Sequence, residues 1–132
     1  MTNYYDLPDY MEVEDIKKYF TEFIDTYGNS RTNVEYALDE LIELSDRQWN
    51  TYEIIDETTK NNIVKYLFNI ISLESETIMD RILLIIPRLG LKIIFDYIVK
   101  EKSKILNKNV IKEIEESVIE YGQHVENPYW DM

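Results

Sequence analysis

Apolar residues return every three to four positions along most of this chain, and that rhythm predicts helices. Val13, Ile16, Phe20, Phe23, Ile24 and Tyr27 mark a first helix, 13–27, stopped by Gly28, where a left-handed C-terminal cap is expected. Thr32 with Glu35 three positions on reads as a capping box. Val34, Leu38, Leu41 and Ile42 then form one face of a second helix, 32–45. The pattern breaks over residues 46–52, a connection that holds Trp49 and Tyr52. Asp56 or Thr58 caps a third helix, 57–72, whose face is Ile63, Leu67, Ile70 and Ile71. A fourth, 75–87, begins at Ser75, carries Ile78, Ile82, Leu83, Ile85 and Ile86, and is expected to end or kink at Pro87, which has no amide hydrogen and crowds the Leu83 carbonyl. A fifth, 91–103, carries Leu91, Ile94, Phe95, Ile98 and Val99 and closes on a Lys-rich turn. Asn109 caps a sixth, 109–121, with Val110, Ile114, Val118 and Tyr121 inward and Gly122 after it.

This pattern predicts an all-α fold: a single helical domain over residues 1–132, built as a six-helix bundle or a short stack of helix pairs. Ile, Val, Phe and Tyr are good strand formers, but the period overrides that preference. Residues 83–86 and 93–95 are apolar on more than one side, so the fourth and fifth helices are expected to be central and doubly covered. Leu83, Ile86, Ile94, Phe95 and Ile98 are the expected core.

Charge changes the picture more than composition does. Residues 1–59 hold 15 Asp/Glu against 4 Lys/Arg, residues 60–112 hold 5 against 10, and residues 113–132 hold 6 against none, for a net charge of −12. An acidic front and tail around a basic middle suit a positively charged partner, since single-sign patches steer association and cost self-repulsion. A pI near 4.4 argues against nucleic acid as the partner. With no cysteine there is no disulfide framework and no thiolate zinc site. The start of the chain lacks a basic region followed by an apolar one, and the most apolar stretch, 78–98, is broken by charges, Pro87 and Gly90. A cytoplasmic protein with no membrane association is therefore expected.

Candidate chemistry is sparse. His124 is the only histidine, which removes histidine pairs and relays, and it reads as an exposed or tail-packing residue. Asp6, Asp9 and Glu12 lack the glycine and the terminal glutamate of an EF-hand loop. No nucleophile motif, glycine-rich phosphate loop or metalloprotease helix occurs, so neither an enzyme, a metal nor a cofactor is expected. More informative is the like-charge stripe Glu35, Asp39 and Glu43, with Glu40 beside it and only Arg47 as nearby relief. Like charges at i, i+4 cost about 0.2–0.5 kcal/mol a pair, and a binding face offsets that cost. Tyr36, Trp49 and Tyr52 add aromatic anchors, so the expected partner-binding set is Glu35, Tyr36, Asp39, Glu40, Glu43, Trp49 and Tyr52. The aromatic tail Asn127, Pro128, Tyr129, Trp130 and Asp131 is expected to dock back on its own domain.

Residues 86–132, with Arg88-Leu89-Gly90-Leu91 at a helix junction, Glu120-Tyr121-Gly122 closing a helix, and the ending Glu126-Asn127-Pro128-Tyr129-Trp130-Asp131-Met132, resemble the C-terminal part of small helical immunity proteins of bacterial contact-dependent inhibition and polymorphic toxin systems. The resemblance implies a cytosolic, non-enzymatic protein that neutralises one cognate toxin domain, often a nuclease. It carries over no site residues, because each immunity protein fits its own toxin. The charge distribution fits that reading: a nuclease that grips phosphate is basic, and an acidic inhibitor associates with it fast and salt-sensitively. Two rival readings are an acidic DNA mimic that inhibits a host defence nuclease, which the basic middle disfavours, and a helical adaptor that takes a peptide or helix in a groove.

Overall fold

The computed structural model describes residues 2–130. Six helices carry the fold: α1 (Val13–Tyr27), α2 (Val34–Trp49), α3 (Glu57–Ile70), α4 (Glu76–Leu89), α5 (Lys92–Glu101) and α6 (Lys108–Tyr121). Short 3-10 turns at Tyr4–Asp6 and Lys102–Lys104 complete the secondary structure, with no strand among the described residues. The all-α expectation is met.

Most helices pack mainly against the one two places along, while α1 packs against both α2 and α3. The α2–α4 interface is the most extensive, and α4–α6, α1–α3 and α3–α5 follow the same rule. Even-numbered helices thus form one layer and odd-numbered helices the other, an arrangement of stacked helix pairs. Ion pairs fix the direction within the even layer. Arg81 Nε meets Asp39 Oδ1 at 2.8 Å and Arg88 Nε meets Asp46 Oδ1 at 3.3 Å, in the same order along both helices, so α2 and α4 run parallel. Asn107 beside Glu74 and Glu113 beside Asp80 place α6 parallel to α4 in the same way.

The core is continuous through both layers. Ile16, Phe20 and Phe23 of α1, Leu38, Leu41 and Leu44 of α2, Ile63 and Leu67 of α3, and Ile82, Ile85 and Ile86 of α4 are all buried. The five residues expected in the core, Leu83, Ile86, Ile94, Phe95 and Ile98, are buried too. At about 1.5–3 kcal/mol for each fully buried large side chain, this cluster is the main stabilising force. Double coverage of the fourth and fifth helices is not complete, however. Leu84 and Ile93 are 59% and 64% exposed, because α4 and α5 each leave one side unpacked, and the second central helix is α2.

Local signals at several helix ends resolve differently from the sequence expectations. Gly28 and Gly122 stay in the right-handed helical region, and only Gly90, at φ 70°, forms a left-handed cap. The Thr32–Glu35 capping box does not form: Thr32 pairs with Ser30, and Asn33 precedes α2 at φ 52° without a side-chain cap bond. Asp56 and Ser75 cap α3 and α4 as expected, whereas α6 is capped by Asn107, whose Oδ1 accepts from the amides of Asn109 and Val110, and not by Asn109.

Two corrections bear on function. First, α2 continues to Trp49 and does not stop near Ser45. Ser45 Oγ donates back to the Leu41 carbonyl, and Arg47 is held by Glu43 and by the carbonyls of Leu7 and Pro8, so buried Ser45 and Arg47 are both paired inside the helix's last turns. Second, α4 runs through Pro87 to Leu89. Proline leaves the Leu83 carbonyl without its usual amide donor. The Tyr121 hydroxyl supplies the missing bond at 2.9 Å, tying α6 to α4 where the helix would otherwise break.

Candidate functional site

The α2 stripe proposed as the binding face is mostly neutralised within the molecule. Asp39 is paired with Arg81 of α4, and Glu43 with Arg47 at 3.0 Å. Glu40 is only 1% exposed, its Oε2 has no hydrogen-bond partner, and it cannot meet a partner from the surface. It faces Tyr4 and Tyr36 at the side of the helix turned to the N-terminal segment, and the Tyr36 hydroxyl is pushed up in pKa first by its hydrogen bond to Glu40. Glu35 and Tyr36 stay exposed. Of the ten basic residues in the middle of the sequence, two, Arg81 and Arg88 of α4, pair with the acidic front carried by α2.

Trp49 belongs to a second group, the aromatic cluster that holds the tail. Its indole Nε1 donates to the Pro128 carbonyl at 3.0 Å, and the Tyr129 hydroxyl donates to the Trp49 carbonyl at 2.8 Å. The rings of Trp49, Tyr52 and Tyr129 lie 5.8–6.3 Å apart, and the Arg88 guanidinium sits 4.8 Å from the Trp49 ring centre. Tyr52 is 64% exposed and is held at φ 60°, a conformation costing about 1 kcal/mol that these stacked rings offset. His124 stacks on Trp130 at 4.3 Å. The expected docking of the tail is thus observed from Val125 to Trp130, while Asp131 lies outside the described residues. Gly90 makes the crossing possible, since a Cβ there would lie 3.0 Å from the Glu126 carbonyl oxygen.

Tail and helices together enclose a cleft of about 640 Å³ between α4 and α6. Leu84, Pro87, Trp49, Pro128 and Trp130 give it apolar walls, and Asp80, Glu113, Glu116 and Glu120 line it with carboxylates. Arg88 is the one lysine or arginine in the lining, and it is engaged with Asp46 and Trp49. Burial first, then the hydrogen bond to Asp80 and the charges of Asp80, Glu116 and Glu76, push the Glu113 carboxyl up to about 7. Asp80 Oδ1 is buried and has no hydrogen-bond partner.

Sequence reasoning named none of the four cleft carboxylates as site residues. The signal was present: Glu113, Glu116 and Glu120 fall at i, i+3 and i+7 on one helical side, and Asp80 interrupts the most apolar helix. What the sequence did not reveal is that α4 lies alongside that side. Chemically the cleft suits cations with an apolar stem. Among the described residues no group of three or more side chains converges to hold a metal ion. No helix is long and apolar enough to cross a membrane. Comparison with family models, with curated proteins and with solved structures gives no match.

Proposed function

We propose that this chain neutralises a basic toxin domain, as the immunity proteins it resembles do, by seating a cationic segment of that domain in the α4/α6 cleft and covering its substrate groove. The toxin class that fits is a nuclease, whose phosphate-gripping surface is basic. One observation carries the reading: the internal ion pairs absorb much of the acidic charge of α2 but leave an aromatic-walled cleft lined by four carboxylates. Carboxylates accelerate encounter with a basic surface, and the desolvated walls slow dissociation. Exposed Glu35, Tyr36 and Tyr52 contribute at most a secondary contact on the neighbouring face.

The test is protection of cells. Co-expressed with the product of an adjacent toxin gene, the unaltered chain should restore growth, and so should Glu35→Lys. Glu116→Lys combined with Glu120→Lys should abolish protection while leaving the helical circular dichroism spectrum unchanged, since both residues are exposed. A double variant that protects as well as the original protein would remove the cleft from the interface.

A further inference from the structure

In a stack of helix pairs the last pair has no neighbour on its outer side, so that side is expected to be polar. The outer side of α6 is not. Its buried residues Val110, Ile114, Ser117 and Tyr121 face the helix it packs on, α4, while Lys108, Lys112 and Ile119 stand half a turn away on the outer side. Ile119 and Leu106, the latter just ahead of the helix, are each 86% exposed, more than any other large apolar side chain among the described residues. Around them residues 100–112 hold five lysines against one glutamate. The ion pairs there, Lys102 with Glu115 at 3.7 Å and Lys112 with Glu116 at 3.9 Å, are long surface contacts that hold a lysine weakly. The other end of the stack is the α1/α2 pair, and the N-terminal segment covers it. Tyr4 is buried with its hydroxyl donating to Glu22 of α1, and Arg47 of α2 holds the carbonyls of Leu7 and Pro8. On the outside of this segment Tyr5 and Tyr10 are 52% and 58% exposed, and Asp6, Asp9 and Glu12 are exposed beside them. Residues 1–15 hold five acids and no lysine or arginine. Neither Asp6, Asp9, Glu12 nor Lys108 takes part in an ion pair among the described residues.

We propose that the outer face of α6 docks a second copy of this chain, seating the acidic, tyrosine-bearing N-terminal end of that copy against Leu106, Ile119 and the lysines around them. The contact goes beyond the binding reading above and does not rest on it, since none of Leu106, Lys108, Lys112 and Ile119 lines the α4/α6 cleft. Charge complementarity selects the occupant. Two α6 faces do not pair with each other, because lysine would meet lysine. An anionic membrane answers the lysines, but it presents negative charge across a whole plane to a chain of net charge −12, whereas a second copy brings its N-terminal acids to this one end. Tyrosine also supplies the large, rigid, half-polar contact surface that interfaces favour, here against exposed Leu and Ile. The contact joins unlike faces, so it repeats head to tail, and every dimer keeps one free N-terminal end and one free α6 end.

Sedimentation velocity on the full chain, at concentrations rising to about 1 mM, covers the range of a weak contact. The unaltered protein should pass from a 15.9 kDa monomer to dimers and larger species. Asp6→Lys with Asp9→Lys removes the N-terminal end, and Lys108→Glu with Ile119→Glu removes the α6 end. All four residues are exposed, so both variants should keep the helical circular dichroism spectrum. Each variant alone should stay monomeric. Mixed one to one, the two should form a dimer and stop there, because one keeps its α6 face and the other its N-terminal end. Unaltered protein that stays monomeric overturns the proposal, and so does self-association that survives in either variant, or a mixture that remains monomeric. Vesicles containing phosphatidylserine supply the remaining arm: unaltered protein that binds them while staying monomeric in solution, and loses that binding in Lys108→Glu with Ile119→Glu, overturns the proposal and assigns the face to anionic lipid.

Discussion

Single side chains decide whether a charged or polar position belongs to the surface or to the interior. Tyr121 is the clearest case, because its hydroxyl replaces the amide that Pro87 cannot offer to Leu83, and burial pushes its pKa up to about 12. Tyr121→Phe should leave that buried carbonyl unpartnered and cost about 1–3 kcal/mol in urea unfolding, with no change in helix content at low denaturant. Glu40 and Glu35 make a second contrast on one helix. Glu40→Lys places an unpaired cation in the interior and should cost about 3 kcal/mol or more, whereas exposed Glu35→Lys should stay within about 0.5 kcal/mol in the same assay. Reversing Glu35, Asp39 and Glu43 together is therefore not a clean probe of binding, since Asp39 and Glu43 hold Arg81 and Arg47.

At the scale of the helix, the period of apolar residues carried most of the information, and α1 falls on its expected bounds, Val13–Tyr27. End signals were weaker guides, for reasons visible in particular residues. Gly28 and Gly122 can adopt a left-handed conformation but have no need to, while Gly90 has the tail pressed over it. Pro87 breaks an isolated helix, and here a tyrosine 34 positions later repairs it. The site was less legible than the fold because its charges come from two helices whose pairing no local pattern encodes. Asp80 and Glu113 are 33 residues apart, and their proximity follows from α6 lying parallel to α4. That proximity has a stability consequence. Glu113 is raised from 4.5 to about 7 in the folded chain, so the folded state keeps a proton that the unfolded state has lost across that window. Its contribution is intact below pH 4.5 and is lost as pH rises through 7. Compared with Glu113→Gln in parallel thermal melts, the unaltered protein should lose stability from pH 5 to pH 8.

The whole molecule sorts its charge by layer and by helix. Basic residues of α4 turn inward to the acids of α2, which lets two acidic helices share one layer with a third between them. What is left over is the acidic side of α6, facing a cleft that the aromatic tail walls off. The proposed function assigns the tail, α4 and α6 as the face that holds a basic protein. Stopped-flow association with the basic toxin domain proposed as its partner, at low and high salt, tests that claim most directly. Glu116→Lys with Glu120→Lys should slow association about tenfold or more at low salt and lose most of the salt dependence, with Glu35→Lys close to the unaltered rate. Equal slowing by the two sets of substitutions, or slowing by Glu35→Lys alone, would contradict the account and return the interface to α2.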